Sequence, residues 1–305
     1  MAQVEFQTTL NTTVICAGVG VHSGARARMV IKPAEINTGI RFRRADLDVQ
    51  TDIIARGDAV TEVQLGTTLT NEEGASIATV EHFLAACAGM GLDNLLVEID
   101  GPEVPIMDGS SAVFCELFHS AGLKPQTALR RRIRILDTVE IGEGVKWARL
   151  SPTTDNVLTL KAKIEFDTKA IGTQQMSMRL MPGLFARDIA FARTFGFARD
   201  VETLKAMGLA RGGSLDNAVV IDGDDIVNPE GLRSDDEFIR HKLLDAVGDL
   251  MLAGAPIAGL YEARQPGHAM NNKLVRALLE RPDAWCWETD AEALEPALNR
   301  ESLSA

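Results

Sequence analysis

SIATVEHFLAACAGMGLDNLLVEIDG, residues 76–101, decides the fold, because it reads as a helix that stops at a glycine and runs straight into a strand. Upstream, ARARMVIKP (25–33) and TGIRFRRADL (38–47) alternate apolar and polar residues with turn residues between them, so the first 60 residues read as antiparallel strands. Downstream, SSAVFCELFHSAGL (110–123) is a second helix that stops at Gly122, with Pro125 just beyond. A unit of sheet plus two helices therefore closes near residue 127. From Arg130 the same programme runs again: strands at RIRILDTVEI, VKWARLSP and VLTLKAKIEF, a helix over 235–253, then PIAGLYEARQPGHAMN and a final helix. Setting EHFLAACAGMG (81–91) against RHKLLDAVGDLMLAG (240–254) puts His82 and His241 at matching places near the starts of matching helices. The chain reads as a duplication whose halves pack about a pseudo-twofold axis, with the two histidines converging between them. Residues 183–232, with RGGS and DGDDIVNPEG, read as an irregular insertion longer than a plain repeat needs, and such insertions are often functional. The tail 288–305 is acidic.

The bulk numbers agree with two domains: 305 residues, 46% hydrophobic and 24% charged. No apolar run reaches the length of a membrane span, and MAQVEFQTTL has neither a basic start nor an apolar stretch, so a cytoplasmic protein without a signal peptide is expected. Cys16, Cys87, Cys115 and Cys286 are scattered without a C-x-x-C pair, as reduced thiols are. A net charge of −12 argues against nucleic acid as a partner; the basic run RRRIR (130–134) reads as the opening of a strand. Neither a P-loop nor a G-x-G-x-x-G signature is present, which argues against nucleotide hydrolysis and dinucleotide redox chemistry.

The chemistry gathers on DDEFIRHKLLDAVGDL, residues 235–250. At roughly 100° per residue, His241, Asp245 and Asp249 share about a quarter-turn, with Lys242 at its edge and Leu243, Leu244, Val247, Leu250 and Met251 opposite. The ordinary reading is an amphipathic helix whose polar face meets water. Against it, Asp245 and Asp249 are like charges four apart, a repulsion that a cation would reverse. His and Asp at i and i+4 aim at one point, as two metal ligands on a helix do, although H-x-x-x-D alone is a weak pattern. A catalytic zinc takes three protein ligands and leaves one position to water, so a third must come from elsewhere. His82, preceded by Glu81 in an otherwise apolar helix, reads either as a satisfied core or rim residue or as that ligand, with Glu81 as a neighbouring general base. His268, after a glycine in QPGHAMNN, is either a cap or surface residue or an imidazolium partner oriented by Asp249. His119 reads as a dipole partner at a helix C-terminus, and His22 sits in a glycine-rich turn where it is a candidate neighbour of substrate.

TVEHFLAA, GLDNLLVEIDGPEVPIMDGS, ARTFGF, NPEGLRSDDEFIRHKLLDAVGDL and GHAMNN, in this order, resemble the bacterial UDP-3-O-acyl-N-acetylglucosamine deacetylases, zinc amidases of lipid A biosynthesis. The similarity runs from QTTL (7–10) to about Trp287. The resemblance implies an α+β fold of two similar domains (1–127 and 128–305), each a small, mostly antiparallel sheet packed on two helices, with the site at their interface. It implies zinc on His82, His241 and Asp245, with ferrous iron an alternative metal, Glu81 as general base, and His268 as the cationic partner supported by Asp249. Thr194 resembles the family's hydroxyl donor to the tetrahedral oxyanion, Phe195 a wall of the substrate site, and Lys242 a contact to the nucleotide's phosphates. The segment near 197–217 resembles an insert forming a passage for the acyl chain. The implied partner is a UDP-linked acylated amino sugar, bound by a monomer. One departure stands out: where some members carry lysine three residues before the histidine of GHAMNN, this chain has Gln265, with Arg264 adjacent. Two rivals are a peptidase or general amidase using the same ligands, and a non-catalytic nucleotide-sugar binder with a salt-bridged stripe; acetate release and metal content separate them.

Overall fold

The structure, a computed structural model, describes residues 5–48 and 52–289; most of the acidic tail lies outside the described residues. The first half runs β1 (Phe6–Leu10), β2 (Val14–Val19), β3 (Arg26–Pro33), β4 (Ile40–Arg44), β5 (Asp52–Ile54), β6 (Val60–Glu62), β7 (Thr68–Thr70), β8 (Ser76–Ile77), α1 (Glu81–Met90), β9 (Leu95–Ile99), α2 (Ala112–Ala121) and β10 (Leu123–Leu129). The second half runs β11 (Arg131–Ile135), β12 (Val139–Glu143), β13 (Lys146–Ser151), β14 (Leu158–Glu165), β15 (Thr173–Arg179), α3 (Pro182–Asp188), β16 (Phe195–Phe197), α4 (Ala198–Ala206), β17 (Val219–Asp222), β18 (Asp225–Ile226), α5 (Glu237–Met251), β19 (Ile257–Arg264), α6 (His268–Leu279) and β20 (Trp285–Thr289). The architecture is α+β, as expected.

The duplication is written in the strand pairing. In the first half the order is β2-β3-β9-β4-β5, antiparallel throughout except for the parallel pair β4/β9. In the second, β12, β13, β19, β14 and β15 pair in the same order and senses, with β14/β19 the parallel pair. The flanking strands match too: β1 pairs antiparallel with β10, and β11 with β20. The boundary read near residue 127 thus falls inside a strand, β10. Each parallel pair follows from its connection, since the chain must cross back over the sheet through a helix, α1 or α5, before the next strand is laid down. Burial alternates along β9 and β14, so one face of each sheet meets the helices.

What lies between the strands and the crossover helix of each half, α1 or α5, differs. In the first half it is the small sheet β6-β7-β8. In the second, residues 183–232 are more ordered than the sequence reading allowed. They hold most of α3, which starts with Pro182 in its first turn, then α4 and a β16-β17-β18 sheet. α4 is short and none of its residues is fully buried, its apolar Ala198, Val201 and Leu204 being only half-covered, so it gives a weak helix signal. α3 docks on α1 through Gly89, whose missing side chain makes room for the Phe185 ring. Cys16, Cys87 and Cys115 are buried and Cys286 is exposed, all as free thiols. No helix among the described residues is long and apolar enough to cross a membrane.

Candidate metal centre and its acid–base residues

α1 and α5 meet almost backbone to backbone. A Cβ on Gly248 would lie 2.1 Å from the carbonyl oxygen of Glu81, so only glycine lets the start of α1 settle between Asp245 and Asp249. The polar stripe of α5 therefore faces protein and not water: His241, Asp245 and Asp249 are all buried, which removes the ordinary amphipathic reading.

This crossing brings His82, His241 and Asp245 together with one potential ligand atom from each within 4.8 Å of the others. The Nε2 atoms of His82 and His241 lie 3.5 and 3.3 Å from Asp245 Oδ1, and the two rings stand edge to face at 86° with centroids 4.9 Å apart. Asp245 Oδ1 is buried without a hydrogen-bond partner, which for a carboxylate oxygen is expensive unless a cation takes its lone pairs. His241 Nδ1–H donates to the Ala192 carbonyl (3.1 Å), which turns Nε2 inward as the free acceptor. Burial, the largest influence, pushes the His241 imidazole down to about 3, so it is held neutral, the form that binds metals. Burial alone would raise Asp245, yet its cationic neighbours, the Lys242 ammonium and the charged His268, hold its carboxyl well below the usual range. Lys242 Nζ reaches Asp245 Oδ2 at 2.9 Å and stands 5.3 Å from the centroid of the Phe195 ring. The residues fit a divalent cation bound by two imidazoles and one carboxylate.

Beside this cluster stand two further titratable groups, Glu81 and His268. Glu81 is buried, which raises its pKa, and its Oε2 accepts the Thr67 backbone N–H at 2.9 Å. His268 opens α6, where the helix dipole opposes a positive charge. Burial opposes the charge as well, but the Asp249 and Asp245 carboxylates outweigh it and raise His268 to about 10. Its Nδ1–H donates to Asp249 Oδ2 at 3.0 Å, while its Nε2 lies 3.9 Å from Asp245 Oδ2. Asp249 also accepts from Asn271 Nδ2 (2.9 Å) and from the Thr67 hydroxyl (2.7 Å), and Tyr261 donates to Asn271 Oδ1 (2.7 Å).

The remaining sequence-named residues rim this centre or lie away from it. Phe195 packs edge to face on Phe238, and its ring centroid is 6.1 Å from that of His241. Thr194, one residue earlier, is fixed through its backbone: its N–H donates to Gly109 O and its carbonyl accepts from Val219, both at 2.8 Å. A Cβ on Gly66 would stand 3.0 Å from Glu81 Oε1 and 3.7 Å from His22 Nε2, which puts the His22 turn beside the carboxylate. Arg264 is committed to Glu165 (3.0 Å from Nε), and the Gln265 side chain donates to the Glu165 backbone, so both residues of the departing pair brace β14. His119 is exposed in the last turn of α2, as expected of a dipole partner. Sequence reasoning missed Gly248 and the Ala192 carbonyl, which act through backbone geometry, and Thr67, Asn271 and Tyr261, whose side-chain partners only the fold brings together.

Comparison with known proteins gives one answer throughout. A protein-family model described as UDP-3-O-acyl N-acetylglycosamine deacetylase matches residues 7–280. A relative from Phenylobacterium zucineum (strain HLK1), named UDP-3-O-acyl-N-acetylglucosamine deacetylase, is 49% identical over 294 residues, covering 96% of this chain and all of its own. Relatives of the same name from Shewanella frigidimarina (strain NCIMB 400) and Shewanella woodyi (strain ATCC 51908 / MS32) are each 47% identical over 92% of both chains. With a metal-ready cluster at the helix crossing and this similarity along nearly its whole length, the chain belongs to the UDP-3-O-acyl N-acetylglycosamine deacetylase family of enzymes.

Proposed function

We propose that the chain hydrolyses the N-acetyl group of a UDP-3-O-(3-hydroxyacyl)-N-acetylglucosamine, releasing acetate and a free amine in lipid A biosynthesis, with zinc held by His82, His241 and Asp245. The observation that carries this reading is the partnerless, buried Asp245 Oδ1 between two imidazole Nε2 atoms, on a chain akin to deacetylases along nearly its whole length. The same donor set takes ferrous iron, and elemental analysis decides between the two. When bound, the metal supplies Lewis acidity toward the amide carbonyl and acidifies water.

The rest of the chemistry belongs to the chain's own side chains. Glu81, buried and raised in pKa, takes the proton of the attacking water. His268, kept charged by Asp249, stabilises the developing negative charge and protonates the departing nitrogen. Thr194 gives its hydroxyl to the oxyanion, Phe195 walls the sugar site, and Lys242 beside it meets the diphosphate. The segment near 197–217 lines the acyl passage. In support, its end is stitched to the turn beside Glu81, where Arg211 and Gly212 N–H groups donate to the His22 and Val21 carbonyls. Residues 1–127 and 128–305 form the two domains, and the enzyme works as a monomer in the cytoplasm. Acetate release from the UDP-sugar, compared with release from acetylated peptides, tests this reading; equal rates on both would replace it with a general amidase.

A further inference from the structure

Thr67 is a buried residue in LGTTLT (65–70) whose three polar groups are all used, and each reaches toward the site. Its N–H donates to Glu81 Oε2 (2.9 Å), its carbonyl accepts from Val80 N–H at the start of α1 (3.2 Å), and its hydroxyl donates to Asp249 Oδ1 in α5 (2.7 Å). One residue of the first half thus touches both the carboxylate beside the metal cluster and the carboxylate that orients His268 in the second half. These two buried carboxylates repel each other across the helix crossing, and Thr67 gives one donor to each.

We propose that Thr67 is a positioning residue for the reaction, setting the spacing between Glu81 and the Asp249–His268 pair; this rests on the deacetylase reading given above. Asp249 Oδ2 is shared by His268 and Asn271, whereas Oδ1 has the Thr67 hydroxyl as its donor. Without that hydroxyl the carboxylate is free to turn about its terminal torsion and to carry the imidazole with it. Thr67 stands behind the two carboxylates, with only 1% of its surface exposed, so its loss should be felt in turnover and not in substrate binding.

The test compares T67V, which keeps the shape and removes the hydroxyl, with T67S, which keeps the hydroxyl, in metal-loaded full-length enzyme. The readouts are kcat, KM and metal content, with wild type alongside. The expected result is that T67V retains its metal and its KM while kcat falls about 10- to 100-fold, the worth of one hydrogen bond to a charged group, and that T67S restores most of the rate. A T67V enzyme with wild-type kcat overturns the proposal. So does a T67S enzyme as slow as T67V, or a T67V enzyme whose deficit is lost metal or raised KM. If T67V cannot be recovered folded, T67A carries the same comparison. An inactive wild type in this assay would fault the deacetylase reading, whereas the contrast between variants bears on Thr67 alone.

Discussion

Gly248→Ala is the smallest change that should dismantle the site without touching any of its polar groups. The added Cβ would sit 2.1 Å from the Glu81 carbonyl oxygen and 2.8 Å from its carbonyl carbon. That is about 1.3 Å short of an ordinary 3.4 Å contact, and both offending atoms are backbone, so they cannot swing aside. The start of α1 must move away from α5 by about an ångström, taking Glu81 and His82 with it. Overpacking of this kind costs about 1–3 kcal/mol of stability. The functional loss should be larger, since an ångström of misplacement at a reacting centre is worth about 10²-fold in rate. Metal affinity should weaken as well, because His82 rides on the helix that moves while His241 and Asp245 do not. The assay is kcat, metal affinity and thermal midpoint for G248A beside G183A, whose added Cβ meets nothing within 4 Å. The control should keep wild-type rate and metal. A G248A enzyme with normal turnover and metal affinity would refute the claim that the helix contact sets the spacing of the site.

Three further outcomes are expected. E81A should keep its metal and lose about 10²- to 10⁴-fold in kcat, the usual worth of general acid–base assistance; near-normal turnover would exclude the base role. H241A should lose metal or bind it far more weakly by elemental analysis, and full occupancy would contradict the ligand role. In D249N the basic limb of the kcat/KM profile should move toward acid. His268 is held at about 10 against burial by Asp249 and Asp245, and a dication on Asp245 cancels that carboxylate's share. Removing the Asp249 charge then leaves burial in control and the imidazole loses its proton earlier as pH rises; an unmoved limb would show that Asp249 does not hold it.

How far the sequence could be read depended on where each signal is stored. The stripe His241, Asp245, Asp249 was legible because helical periodicity is local, and the repeated order of strands and helices made His82 its partner across the crossing. The parallel pairs β4/β9 and β14/β19 were not legible, because register is decided by contacts far apart in the chain. Helix α4 hid because it is short and its few apolar residues are only half-covered, although Pro182 could have announced α3. Gly248 acts through an absent Cβ, and Thr67 through a backbone N–H and a hydroxyl whose partners lie far along the chain, so no local pattern records either. Thr194 entered through resemblance alone, and its backbone bonds to Gly109 and Val219 explain how a loop residue is held beside Phe195.

The central claim is that side chains from two duplicated helices share one divalent ion. X-ray absorption at the metal edge of the purified, zinc-loaded protein tests it most directly. The account predicts one ion per chain in an all-nitrogen-and-oxygen shell, with imidazole scattering from two histidines at roughly 2.0–2.1 Å, reduced to one histidine in H82A. A sulfur-containing shell, or an imidazole count unchanged in H82A, would contradict it.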